Sequence, residues 1–163
     1  MLTRIIPTAP CHFEGLRFVL DSVAREQRYL AFLQAPPEAE AYAFFQNIVE
    51  CDLCQFVAIQ ENTVVGWCDV LPTHGEARAH IGILGIGLLR HARHQGIGAQ
   101  LMAAAIAKAV EKNLSRIELT VRTDNLNAKA LYERFGFKVE GIQPRAFCVD
   151  KQFFDAYMMA LLP

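Results

Sequence analysis

The chain has 163 residues, of which 53% are hydrophobic and 20% charged, and a formal net charge of −1 at pH 7. That length suits one domain with a single core, 1–163, and the balanced charge excludes the global basic field that holds nucleic acid. No apolar run approaches the roughly 18 residues a membrane helix needs, and Met1 to Pro7 lacks the apolar core of a secretory signal, so the expectation is a cytoplasmic protein with neither membrane nor nucleic-acid partners.

Leu2–Ile6 reads as a first strand, ended by Pro7 and Pro10. From Glu14 to Arg28, apolar residues at Leu16, Val19, Leu20, Val23 and Ala24 keep the spacing of one helix face. Pro37-Glu38-Ala39-Glu40 then opens a second helix that runs through Val49. Aromatics crowd this region, and Tyr29, Phe32, Tyr42, Phe44 and Phe45 either pack helices on a sheet or line a pocket. Gln55–Gln60 and Val64–Leu71 flank Glu61-Asn62-Thr63 as a hairpin. Cys51 and Cys54 precede it as a lone Cys-x-x-Cys. With five scattered cysteines and no second pair, that spacing reads as packing among reduced thiols, and no metal is expected.

Ala79–Leu89 is an apolar strand, and Ile97–Asn113 is a helix with Leu101, Ala105 and Val110 on one stripe. Between them lies Arg93-His94-Gln95-Gly96-Ile97-Gly98-Ala99. Two residues without a Cβ let a ligand approach the backbone, and the first amides of the helix point outward, so this turn attracts an anion, with Arg93 adding a positive charge. There is no Gly-Lys-Ser/Thr of a nucleotide loop, and Leu101 stands where a dinucleotide fingerprint has its third glycine. Ile117, Leu119 and Val121 then alternate with polar residues as a half-buried strand. Asn125–Phe135 is helical up to Gly136, and Phe137–Cys148 and Phe153–Leu162 close the chain as two strands. The order is β-α-α-β-β-β-α-β-α-β-β, an α/β (α+β) mixed sheet with helices on both faces.

Arg93-x-x-Gly96-x-Gly98 after a strand resembles the acetyl-CoA signature of the GNAT (Gcn5-related N-acetyltransferase) superfamily. The stretch from Val121 through Asn125, Ala128, Leu131 and Tyr132 to Gly136-Phe137 resembles its second block. The resemblance implies a mostly antiparallel sheet in which the strand before the turn carries a bulge and splays from the next one, leaving a gap for pantetheine. It implies acetyl-CoA as co-substrate, bound by the backbone of Ile86, Gly87 and Leu88, by the turn Arg93, His94, Gln95, Gly96, Ile97, Gly98 and Ala99, and by Asn125 and Ala128. Arg134 either reaches the 3′-phosphate or faces solvent. The relatives commonly pair as homodimers.

Tyr132 matches the family tyrosine that returns a proton to the departing thiolate. The family's usual carboxylate on the strand before the turn is missing, because Gly82 and Leu84 cannot titrate. His80 shares their parity and is the candidate base, with Glu76 and Asp69 as alternatives. The acceptor is expected to be the primary amine of a small molecule, an amino acid or related metabolite. Tyr29 and Phe32 would line its pocket and Arg145 would hold its carboxylate. A protein N-terminus or lysine, or a sensor domain without turnover, are the other readings.

Overall fold

A computed structural model describes all residues, 1–163. Its elements follow the expected order: β1 (Thr3–Pro7), α1 (Phe13–Arg25), α2 (Glu38–Glu50), β2 (Cys54–Gln60), β3 (Thr63–Pro72), β4 (Ile81–Leu88), α3 (Ile97–Glu111), β5 (Arg116–Arg122), α4 (Leu126–Arg134), β6 (Lys138–Val149) and β7 (Gln152–Leu161). All seven strands join one sheet in the order β1-β2-β3-β4-β5-β7-β6, antiparallel everywhere except between β4 and β5. The turns at Glu61-Asn62 and Asp150-Lys151 have positive φ at both central residues, the backbone twist that tight hairpins require.

The period-two pattern decides which side chains meet which helices. On one face Cys68, Val70, Leu84, Ile117 and Leu119 pack under α3, whose Leu101, Met102 and Ala105 are fully buried. On the other, Val57, Ile59 and Trp67 pack under α1 and α2 through Leu16, Val19 and Phe45. Burying each such Leu or Met side chain is worth about 1.5–3 kcal/mol. The polar edge of α1 stays wet, so the helix is fixed by one stripe only.

Two expectations for β4 need correction. The strand begins at Ile81, because Glu76–Arg78 form a short 3-10 turn and Ala79-His80 continue it. Nor does β4 carry a bulge: its register with β3 runs unbroken from Gly66 opposite Leu88 to Pro72 opposite Gly82. The gap arises on the other edge. β4 pairs with β5 only through Ile81, Gly82 and Ile83, whereas β5 pairs with β7 from Ile117 to Arg122. Two strands joined at one end and held to different outer partners diverge as the sheet twists, so a wedge opens from Leu84 onward.

Trp67 lies across β4 at Gly87, where an added Cβ would sit 2.4 Å from the indole ring. We therefore expect Gly87→Ala to destabilise the fold by about 1–3 kcal/mol by overpacking. A urea titration would read this as a lower midpoint at unchanged slope, and an unmoved midpoint would contradict it.

Candidate active site

The wedge exposes main-chain groups in a regular order. Leu89 donates to the Val65 carbonyl at 2.8 Å and Thr73 donates to that of Ile81 at 3.3 Å, so the odd-numbered residues of β4 turn their N–H and C=O toward β3. The even-numbered residues consequently turn theirs the other way: the Leu84 amide closes the short ladder with β5, and beyond it the Leu84 carbonyl, Ile86 and the Leu88 amide face the open edge. Gly87 does not: its amide and carbonyl face Trp67 of β3, which removes it from the expected set of ligand contacts.

The chain then enters α3 through a turn rich in free donors. None of the backbone amides from His94 to Ala99 donates to a backbone carbonyl, and Gly96 caps the helix in the left-handed region at φ +79°. His94 shares that region at φ +60°, so the amides of His94, Gln95, Gly96, Ile97, Gly98 and Ala99 line a concave, anion-binding bend. The first turn of α3 holds no acidic residue. Gly98 is buried beside Leu131, Leu88 and Ile86, with ordinary van der Waals space for a methyl group, so what it keeps open is the approach of a ligand rather than packing.

Arg93 corrects the reading of this turn. Its guanidinium grips Glu26 at 2.5 and 3.0 Å, donates to the Leu88 carbonyl at 2.8 and 3.0 Å, and lies 4.9 Å over the Tyr29 ring. The cation is spent internally. The Arg93 hydrogen bonds hold the Glu26 carboxyl below the usual range, and Glu26 in turn raises Arg93. Arg93 thus ties the end of β4 to α1 and occupies one acceptor of Leu88, while the free amides are left to receive an anion.

Tyr132 of α4 lies against the α3 face of the sheet, 6.0 Å from Phe137. Burial, and then Cys68, push its phenol above the usual tyrosine value, so it stays protonated at neutral pH. Tyr132 shares one buried cluster with Cys68, which is opposite Ile86, and Ile86 packs against that cluster.

Residues 20–137 match the Acetyltransferase (GNAT) family. The chain belongs to this family. It is 31% identical to the L-amino acid N-acetyltransferase AaaT of Escherichia coli over 65% of its own length and 66% of that protein. Its identity to an N-alpha-acetyltransferase of Saccharolobus solfataricus is 30% over 78% of the chain and 80% of that protein. In fold it is similar to the yncA acetyltransferase of Salmonella typhimurium, solved with acetyl-CoA, at TM-score 0.93 and 12% identity, covering 99% of this chain and 94% of that one. The GNAT assignment makes this chain an acyltransferase.

The other expected residues of this GNAT enzyme fall into separate places. Asn125 caps α4, its Oδ1 accepting the Ala128 N–H at 3.3 Å, so the side-chain NH2 is the part left for a ligand. Arg134 is exposed in the last turn of α4. His80 is exposed in the turn before β4, where its carbonyl accepts the Ser115 and Arg116 amides at 2.9 and 3.2 Å. β4 starts at Ile81, so His80 lies outside the strand whose parity would carry its imidazole to the face of Gly82 and Leu84. Glu76, one alternative, is exposed; Asp69, the other, is buried on β3 against Gly85. On the acceptor side no closed aromatic pocket forms. Tyr29 is taken by Arg93, Phe32 is 51% exposed, and Arg145 is exposed on β6, 5.1 Å over the Phe153 ring. Tyr29 and Asn125 do meet, lining a cleft of about 330 Å³ with Arg28, Asp124, Leu126 and Asn127.

Glu26 gave no signal in the sequence: it reads as one more polar residue on α1. Its lowered pKa stabilises the fold above the ordinary carboxylate range and stops doing so as pH falls and the folded protein takes up the proton. Glu26→Gln is expected to cost about 1–2 kcal/mol near pH 7, with the difference from wild type closing as the pH falls below the ordinary carboxylate range. Denaturant melts at neutral and acid pH check this, and a gap that persists in acid would contradict it.

Proposed function

We propose that this GNAT enzyme transfers the acetyl group of acetyl-CoA directly to the primary amine of a small molecule, an amino acid or related metabolite. The observation that carries the reading is one continuous surface: the β4 edge beyond its last bond to β5, at the Leu84 carbonyl, Ile86 and the Leu88 amide, running into the free amides of His94 to Ala99. A chain of amides laid in the wedge would bond to that edge as an added strand, and a diphosphate would lie on the α3 turn. The edge groups of Ile86 would polarise the thioester carbonyl. The Asn125 side-chain NH2 would meet the pantetheine arm, and Arg134 supplies an exposed cation on α4 for the 3′-phosphate.

In this mechanism the chain supplies three actions. Backbone donors orient the thioester, the apolar face under α3 excludes water, and Tyr132 delivers a proton to the leaving sulfur. For the acceptor, Arg145 makes no salt bridge and its guanidinium is free to take a carboxylate. The kinship with an L-amino acid N-acetyltransferase supports the same acceptor class. A peptide N-terminus is the second reading, favoured by the open acceptor side around Phe32 and Arg145 and by the kinship with an N-alpha-acetyltransferase.

Release of free thiol from acetyl-CoA, followed over free amino acids, polyamines, aminoglycosides and short peptides, tests both. Turnover of free amino acids, with KM raised about tenfold or more by Arg145→Ala, is the expected result. Turnover of peptides alone would replace it with the second reading, and turnover only of amines lacking a carboxylate would defeat the role of Arg145. Tyr132→Phe is expected to lower kcat about tenfold or more at unchanged coenzyme A affinity. Unchanged turnover would remove Tyr132 from the mechanism.

A further inference from the structure

Asp69 is the only buried acidic residue of the protein. It lies on β3 opposite Gly85, two residues beyond the last β4 position that pairs with β5, and therefore at the mouth of the wedge. Gly85 has no side chain, and the carboxylate fills that space: Oδ1 sits 3.1 Å from where a Cβ would be. A carboxyl group missing from β4 is thus delivered across the strand by its neighbour.

Its environment is neutral. Gln55 of β2 donates through Nε2 to Oδ2 at 3.0 Å, and the nearby Gly85 amide and Trp67 indole also favour the charged form. No charged side chain from any element acts on it. The one ionisable neighbour is Cys68, a buried thiol that burial holds protonated. The three donors favour the carboxylate and burial opposes it, and burial wins, leaving Asp69 at about 7. The remaining acids near the wedge do not compete: Glu118 is bound to Arg116, and Glu76 is exposed in its turn.

Gln55 carries a second, independent sign. Its Oε1 is buried without any partner, although Nε2 of the same amide serves Asp69. A half-turn of the amide would put that acceptor where the donor now is, facing the O–H of a protonated Asp69. One side chain can therefore hold the carboxyl group in either protonation state.

We propose that Asp69 is the general base of the acetyl transfer, with Gln55 as its positioning residue; this rests on the acetyl-transfer reading above. The acceptor nitrogen uses its lone pair to form the C–N bond to the thioester carbonyl carbon, and one N–H proton passes to the Asp69 carboxylate. The C–S bond breaks with its electron pair on sulfur, which takes the phenolic proton of Tyr132. The proton on Asp69 then returns through water to the Tyr132 phenolate. Amine and thioester have become amide and thiol, and both side chains are reset.

The test compares kcat/KM against pH for wild type, Asp69→Asn and Gln55→Met, using whichever amine releases thiol, alongside a carbon-13 carboxyl NMR titration of aspartate-labelled protein. A base works deprotonated, so the wild-type profile should rise with pH through a limb near 7, matching one carboxyl resonance that is missing from Asp69→Asn. Asp69→Asn should lose about 100-fold or more in kcat and lose that limb, while still binding coenzyme A. Gln55→Met removes a donor to the charged form and should move the limb upward by about 1 pH unit, a displacement that a purely structural role would not cause. That arm and the wild-type titration stand even if Asp69→Asn fails to fold. The base assignment is overturned if the Asp69 resonance titrates near about 4, or if Asp69→Asn keeps kcat within about threefold with its limb in place. An unmoved limb in Gln55→Met overturns the part given to Gln55. A wild type that releases no thiol with any amine instead overturns the acetyl-transfer reading, and the base with it.

Discussion

The proposed acetyl-CoA site depends on a ladder that stops early. Beyond the Leu84 amide the hydrogen bonds between β4 and β5 end, and β5 continues with β7 while β4 continues with β3. A buried strand edge is ordinarily a liability, because unpaired amides cost free energy away from water. Here the unpaired edge lies beside the amide-lined entry to α3, and both deficits are of the kind an extended, amide-containing, anionic ligand relieves.

Keeping such an opening in shape takes ties on both sides. On the α1 side, Arg93 joins the Leu88 carbonyl to Glu26 and packs on Tyr29, so the end of β4 cannot drift from the helix. On the far side, Arg122 is buried, paired with Asp124, bonded to the Gln27 carbonyl at 3.0 Å and stacked 3.6 Å over Phe154. The two arginines sit at the ends of the two diverging strands, and each reaches back to the segment around α1. Their guanidinium forks satisfy several acceptors at once, which a lysine could not do. The net effect is a rigid wedge in which the charges nearest the mouth are already neutralised.

The electrostatic contrast within the site follows from that economy. The basic turn His91 to His94 looks in sequence like a cationic phosphate site, yet its most central cation is internally paired, so the attraction for an anion comes from backbone dipoles and the start of α3. Tyr132 and Asp69 lie on opposite faces of the sheet, one on the α3 side, the other on the α1 and α2 side, and burial, joined at Tyr132 by Cys68, pushes both toward the protonated form. A proton donor and a proton acceptor separated by a single layer of backbone suit a reaction in which a proton leaves nitrogen on one side of the wedge and reaches sulfur on the other.

Local pattern was enough for much of this. Alternation, proline and glycine punctuation and helical spacing place all eleven strands and helices in order, because each reports burial on one face of a short segment. The Gly96-x-Gly98 turn and Tyr132 are legible for the same reason, being parts of contiguous motifs. Contacts between segments distant in sequence were not legible. Whether Arg93 is free depends on Glu26, sixty-seven residues away, and no periodicity encodes that pair. His80 and Asp69 exchange prominence because one turn delays the start of β4 and because Asp69 happens to face a glycine on the next strand. Main-chain conformation is set by neighbours along the chain, whereas the charge state, accessibility and aim of a side chain are set by whatever the sheet brings beside it.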